Sequence, residues 1–152
     1  MIEFFTLMKS ELVVTAIIFF LLFIKISKGI KNELMLSLIQ IMLLTNLVIG
    51  FFFNKEGNLF GNMFHTNALI VFQKNILSLA VYIISLLCSG WLRKSQHLAE
   101  FFMLMLSALL GMFLMISSGN LLIFYLSLEL ATIPVAAMAI LILRKNVPPK
   151  AR

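Results

Sequence analysis

The chain has 152 residues, of which 62% are hydrophobic and 12% charged, and its net charge is +6. Soluble domains carry about 25% charged residues, and so short a chain cannot hide this much apolar surface inside one core. A soluble enzyme is therefore excluded. The basic excess sits between the apolar stretches and at the C-terminus, so it reads as membrane topology rather than as a nucleic-acid surface.

Five candidate membrane spans follow in chain order. The first covers about residues 5–27, although only residues 12–24 are free of charge. It requires Lys9 and Glu11 near one interface and Lys25 snorkelling at the other. No cleavable signal peptide is expected, because Lys25, Lys28 and Lys31 follow the apolar run without a small-residue cleavage pattern. The second span, 34–53 (LMLSLIQIMLLTNLVIGFFF), is long enough to cross a bilayer as a helix, which takes about 20 apolar residues. Its Gln40, Thr45 and Asn46 are read as interhelical hydrogen-bond groups worth about 1 kcal/mol each. The segment from Asn54 to Asn67 is rich in Gly and Asn and reads as a loop with turns.

The third span, 68–92, is uncharged from Asn75 onward, with Lys74 at its edge. Lys74 reads as an interfacial lysine with a buried stem, the alternative being a buried partner for a carboxylate. The fourth span, 99–118, opens on Glu100, a favourable charge for a helix N-terminus. Ser107 and Gly111 form a small-xxx-small pair that permits close helix approach. The turn Ser117–Asn120 is short, so the fourth span and the fifth, 120–143, are expected to pack as an antiparallel hairpin.

Basic and non-basic connections alternate. Lys25, Lys28 and Lys31 follow the first span, Arg93 and Lys94 the third, and Arg144, Lys145, Lys150 and Arg152 lie in a basic tail, 144–152. Lys55 is the one basic residue after the second span, and the turn after the fourth has no charge. The positive-inside rule then predicts an N-terminus outside and a C-terminus in the cytoplasm. The fold class is thus an all-α integral membrane protein of five transmembrane helices. Cys88 stands alone in an apolar segment, and His65 and His97 fall in different loops of a chain without Asp, so neither a disulfide framework nor a metal site is expected.

Glu129 is the only charge in the 23 residues Leu121–Leu143. It lies roughly 15 Å deep in a hydrocarbon layer about 30 Å thick, counted from Gly119 at about 1.5 Å per residue. An ionisable group there costs at least a few kcal/mol and by default marks a proton or ion pathway. Tyr125 and Thr132 share its helical stripe, and Pro134 frees the carbonyl of Leu130 and is expected to kink or loosen the helix. The plain alternative is a protonated Glu that hydrogen-bonds between helices.

The stretch EFFMLMLSALLGMFLMISSGNLLIFYLSLELATIPVAAMAIL, from Glu100 to Leu141, resembles the fourth and fifth helices of subunit N of bacterial NADH-quinone oxidoreductase (respiratory complex I). The matching features are an initial E-F, the mid-helix Leu110-Gly111-Met112, a small-residue turn, and N-L-L-x-x-Y-L-x-L-E-L. The antiporter-like subunits to which subunit N belongs also resemble subunits of multisubunit cation/proton antiporters. The resemblance implies a proton-translocating membrane-arm subunit in the bacterial inner (plasma) membrane, with Glu129 and Glu100 on the proton route. It implies lipid and other membrane subunits as partners and quinone handled by the complex. Flavin, iron–sulfur clusters and the NADH site belong to partner subunits, and none is expected in this chain. In the family the fifth-helix Glu pairs with a lysine on the seventh helix. About fourteen helices are typical, so the chain is expected to be an N-terminal fragment, the first part of a larger bundle and inactive alone. The tail RKNVPPKAR departs from the family pattern. A cation/proton antiporter subunit and a non-catalytic membrane scaffold remain the other readings.

Overall fold

The computed structural model describes residues 2–27, 31–52, 56–95 and 97–146. Two helices, α1 (Ile2–Leu7) and α2 (Lys9–Ser27), make up the N-terminal stretch and are separated at Met8. They are followed by α3 (Asn32–Phe51), two short strands β1 (Gly57–Leu59) and β2 (Phe64–Thr66), α4 (Ala68–Leu87), α5 (Ser89–Leu92), α6 (Leu98–Ile116) and α7 (Leu121–Asn146). Five of these helices, α2, α3, α4, α6 and α7, are long and apolar enough to cross a membrane. The sequence places Pro148, Pro149, Lys150 and Arg152 of the basic tail beyond the described residues, along with Lys28 and Lys55.

Two of the long helices start at an asparagine cap. Asn67 accepts the backbone N–H of Ile70 at 2.9 Å and so caps α4. Asn120 does the same for α7 through Ile123 at 2.8 Å. Both side chains satisfy N–H groups that a helix start leaves without an intrahelical acceptor.

α6 is the centre of the bundle. Half of its spanning window is buried, and it packs against α2, α4 and α7, while α2 and α4 each also pack on α3. The core is formed by Phe102, Leu106, Leu109 and Phe113 of α6 with Val14, Ile17 and Leu21 of α2 and Leu36, Ile39 and Leu43 of α3. Between helices in lipid the drive is close packing rather than removal from water, which suits this interdigitation of Leu, Ile and Phe. Outward faces carry Phe19, Phe23, Ile41, Phe72, Leu121 and Ile133, all exposed. So continuous an apolar surface requires hydrocarbon rather than water around it.

The fold is the expected α-helical membrane class, and the loop after the second span adds a short hairpin to it. β1 and β2 pair antiparallel in the register Gly57↔Thr66, Asn58↔His65 and Leu59↔Phe64. The segment is too polar to cross the bilayer and its Gly and Asn residues favour turns over helix, so its backbone groups pair with each other in a hairpin. The turn is left-handed at Phe60, Gly61 and Asn62 (φ 53°, 63° and 68°). For Phe60 this costs roughly 1–2 kcal/mol, offset by an edge-on contact of its ring with Phe4 at 5.9 Å. β2 also clasps the α6–α7 turn: His65 N–H donates to Ser117 O at 2.9 Å and Gly119 N–H to Met63 O at 2.7 Å. The hairpin thus fixes where α7 begins.

Two further observations concern helix continuity. The third predicted span, 68–92, divides at Cys88 into α4 and the single-turn α5. α7 runs unbroken through Pro134, whose ring is buried. One missing N–H does not end a long helix whose other hydrogen bonds persist in an environment without water.

Candidate functional site

Glu129 lies in the middle of α7, the least covered of the five long helices, with 17% of its spanning window buried. The buried residues of α7 are Ser127, Ala131 and Pro134, which follow helical spacing and mark the side turned to α6. At about 100° per residue, Glu129 stands about 200° around the axis from Ser127. The carboxylate therefore points away from α6, towards the open flank of the bundle. Tyr125, one turn earlier and exposed, interacts with it electrostatically. The Thr132 hydroxyl donates instead to Leu128 O at 2.9 Å, so it serves its own helix backbone. Among the described residues no cation lies within ion-pair distance of Glu129.

Glu100, in the first turn of α6, is more than a favourable charge at a helix start. Lys25 Nζ of α2 donates to its Oε1 at 2.5 Å, and His97 Nδ1 lies 2.7 Å from Oε2. Lys25 therefore does not simply reach towards headgroups; it ties the end of α2 to the start of α6. The cluster is part-exposed, with a third of the Glu100 side chain accessible.

The two candidate carboxylates are not brought together. Gly111 faces Ala131 across the α6–α7 contact, so Glu129 lies level with about residue 113 of α6. Glu100 is some 13 residues away along that helix, or roughly 20 Å at 1.5 Å per residue. Protons passing between them require intervening groups.

The expectation of an interfacial Lys74 is overturned. Lys74 and Glu11 form an ion pair at 2.5 Å, with 3% and 4% of their side chains exposed. The pair links α2 to α4 beneath the hairpin, and the Lys74 ammonium lies 5.0 Å from the centre of the Phe64 ring. Burial wins because a lysine and a carboxylate enclosed together each supply the countercharge the other needs. A trace of this is readable in α4: Lys74, Ser78 and Ser85 recur at helical spacing, and all three are buried. Next to them Asn46 donates to Ser78 Oγ at 3.2 Å, as expected of an interhelical hydrogen-bond group.

No protein-family model matches the chain. Individual relatives do. NADH-quinone oxidoreductase subunit N of Phocaeicola vulgatus is 33% identical over 134 residues, 86% of this chain. Subunit N of Bartonella bacilliformis is 36% identical over 140 residues, 88% of this chain, and that of Azobacteroides pseudotrichonymphae 34% over 90 residues, 57% of this chain. The chain is a relative of NADH-quinone oxidoreductase subunit N. It spans 28% of the length of the Phocaeicola and Bartonella subunits and 19% of the Azobacteroides one. The similarity to subunit N therefore covers most of this chain and less than a third of those relatives.

Proposed function

We propose that the chain contributes to the membrane arm of NADH-quinone oxidoreductase and takes part in redox-coupled proton translocation in the bacterial inner membrane. Its N-terminus lies outside and its C-terminus in the cytoplasm, as the alternation of basic connections favours. The observation that carries this reading is the position of Glu129: mid-helix, on the face of α7 turned away from α6, with no cationic partner among the described residues. A half-buried carboxylate in the middle of a membrane helix needs a neighbour of opposite charge or a proton. A cation on an adjoining helix would hold it ionised, and displacement of that charge would raise its proton affinity. Glu100 is held between Lys25 and His97 at the basic end of the bundle, which supports a role in proton exchange on the cytoplasmic side. The similarity to subunit N supports the assignment to this complex rather than to a cation/proton antiporter. Other membrane subunits are its partners, and the flavin, iron–sulfur and nicotinamide chemistry belongs to further subunits of the complex.

Assembly tests the assignment. The chain, carrying an affinity tag in its native host, should co-purify from mild detergent with NADH:quinone reductase activity. Recovery with antiporter subunits and without that activity would overturn it.

A further inference from the structure

Below the hairpin, the Glu11–Lys74 pair has more hydrogen-bonding capacity than its protein neighbours use. Glu11 Oε1 accepts from Lys74, but Glu11 Oε2 is buried without a partner. An ammonium has three N–H donors, and among the described residues the Lys74 side chain donates to Glu11. Phe64 covers part of the remainder with its ring. Two residues along β2, and so on the same face of the strand, Thr66 is 5% exposed and its Oγ1 is likewise buried without a partner. One helical turn deeper along α4, Asn46 bonds Ser78 through its nitrogen, while its Oδ1 is unpartnered. One oxygen of the buried charge pair is therefore unused, and two more unused polar atoms belong to the hairpin and to α3.

Buried polar atoms in folded proteins are nearly always satisfied, by protein or by ordered water. An internal water needs two to four polar partners, and the Lys74 ammonium together with Glu11 Oε2 supplies two in direct juxtaposition. We propose that the Glu11–Lys74 pair is an internal water-binding and proton-exchange site, reached from the hairpin side and separate from Glu129. Glu11 Oε2 is the exchange atom. A hydronium arriving there gives its proton to the carboxylate, leaving a neutral acid and a water, and the reverse step returns the proton to water. Lys9, the other cation near the pair, interacts electrostatically with Lys74 and donates to Phe52 O. Lys74 anchors the water. The inference stands on the pair and its neighbours and does not depend on the role given to Glu129.

The test is water-to-protein magnetisation transfer by solid-state NMR on the chain in lipid bilayers. Transfer to Lys74 Nζ and Glu11 Cδ should build up severalfold faster than to the buried side chain of Leu106, close to the rate for the part-exposed Lys25. Build-up no faster than at Leu106 would show a dry, purely structural pair and overturn the proposal. Thr66→Val removes one hairpin-side oxygen at nearly constant volume and should slow transfer to Lys74 while the Glu11–Lys74 contact persists. Unchanged transfer in that variant would overturn access from the hairpin side. Glu129→Gln should leave every one of these rates unchanged; a loss there would contradict the separation of the two sites.

Discussion

Gly111 of α6 meets the backbone of Ala131 on α7 so closely that a methyl group added at Gly111 would lie 2.5 Å from the Ala131 nitrogen. This contact sets the rotation of α7. With Ala131 against α6, Glu129, two residues earlier, is carried to the far side of the helix. The placement of the carboxylate thus follows from a missing side chain on a neighbouring helix.

Gly111→Leu should therefore separate α6 from α7. Overpacking of this kind costs typically about 1–3 kcal/mol, and it is measurable as a lowered unfolding midpoint in detergent micelles. Ser107→Ala, which keeps a small side chain on the same stripe, should leave the midpoint almost unchanged. Equal effects of the two changes would mean that Gly111 has no special part in the contact.

Removing half of the Glu11–Lys74 pair should be far more costly than removing both halves. Lys74→Met alone leaves a buried carboxylate without its countercharge, a loss of about 3–5 kcal/mol, whereas a hydrophobic replacement of a whole buried pair is often neutral or stabilising. The double variant Glu11→Leu/Lys74→Met should accordingly regain most of the stability lost by Lys74→Met. Additive losses in the double-mutant cycle would contradict this.

The Lys25–Glu100 pair should behave differently because water reaches it. With 46% and 33% of the two side chains exposed, its coupling energy should fall within about 0.2–1 kcal/mol and shrink as salt is added. A Lys25→Ala/Glu100→Ala cycle at two ionic strengths measures both quantities. A large, salt-independent coupling would place the pair in a drier environment than its exposure indicates.

Hydropathy and length made the five long helices legible, because a bilayer demands about 20 apolar residues per crossing. Glu129 was legible for the same reason, as a charge where hydrocarbon was expected. The pairings were not. Lys74 meets Glu11 across 63 residues and Lys25 meets Glu100 across 75, and no local periodicity encodes which helices become neighbours. Lys74 at the edge of an apolar run reads as a snorkelling lysine until α2, with Glu11, is placed beside it. The β-hairpin was hidden for another reason: Gly57, Asn58, Gly61 and Asn62 announce turns, whereas strands of three residues carry no alternation long enough to detect.

The role of Glu129 is tested most directly by proton pumping in the assembled enzyme. Glu129→Gln keeps the shape of the side chain and removes its ability to carry a charge or take up a proton at neutral pH. In inverted membrane vesicles driven by NADH, the variant should assemble normally and lose most of its proton translocation per electron transferred. Pumping equal to that of the unaltered enzyme, at equal assembly, would contradict the account.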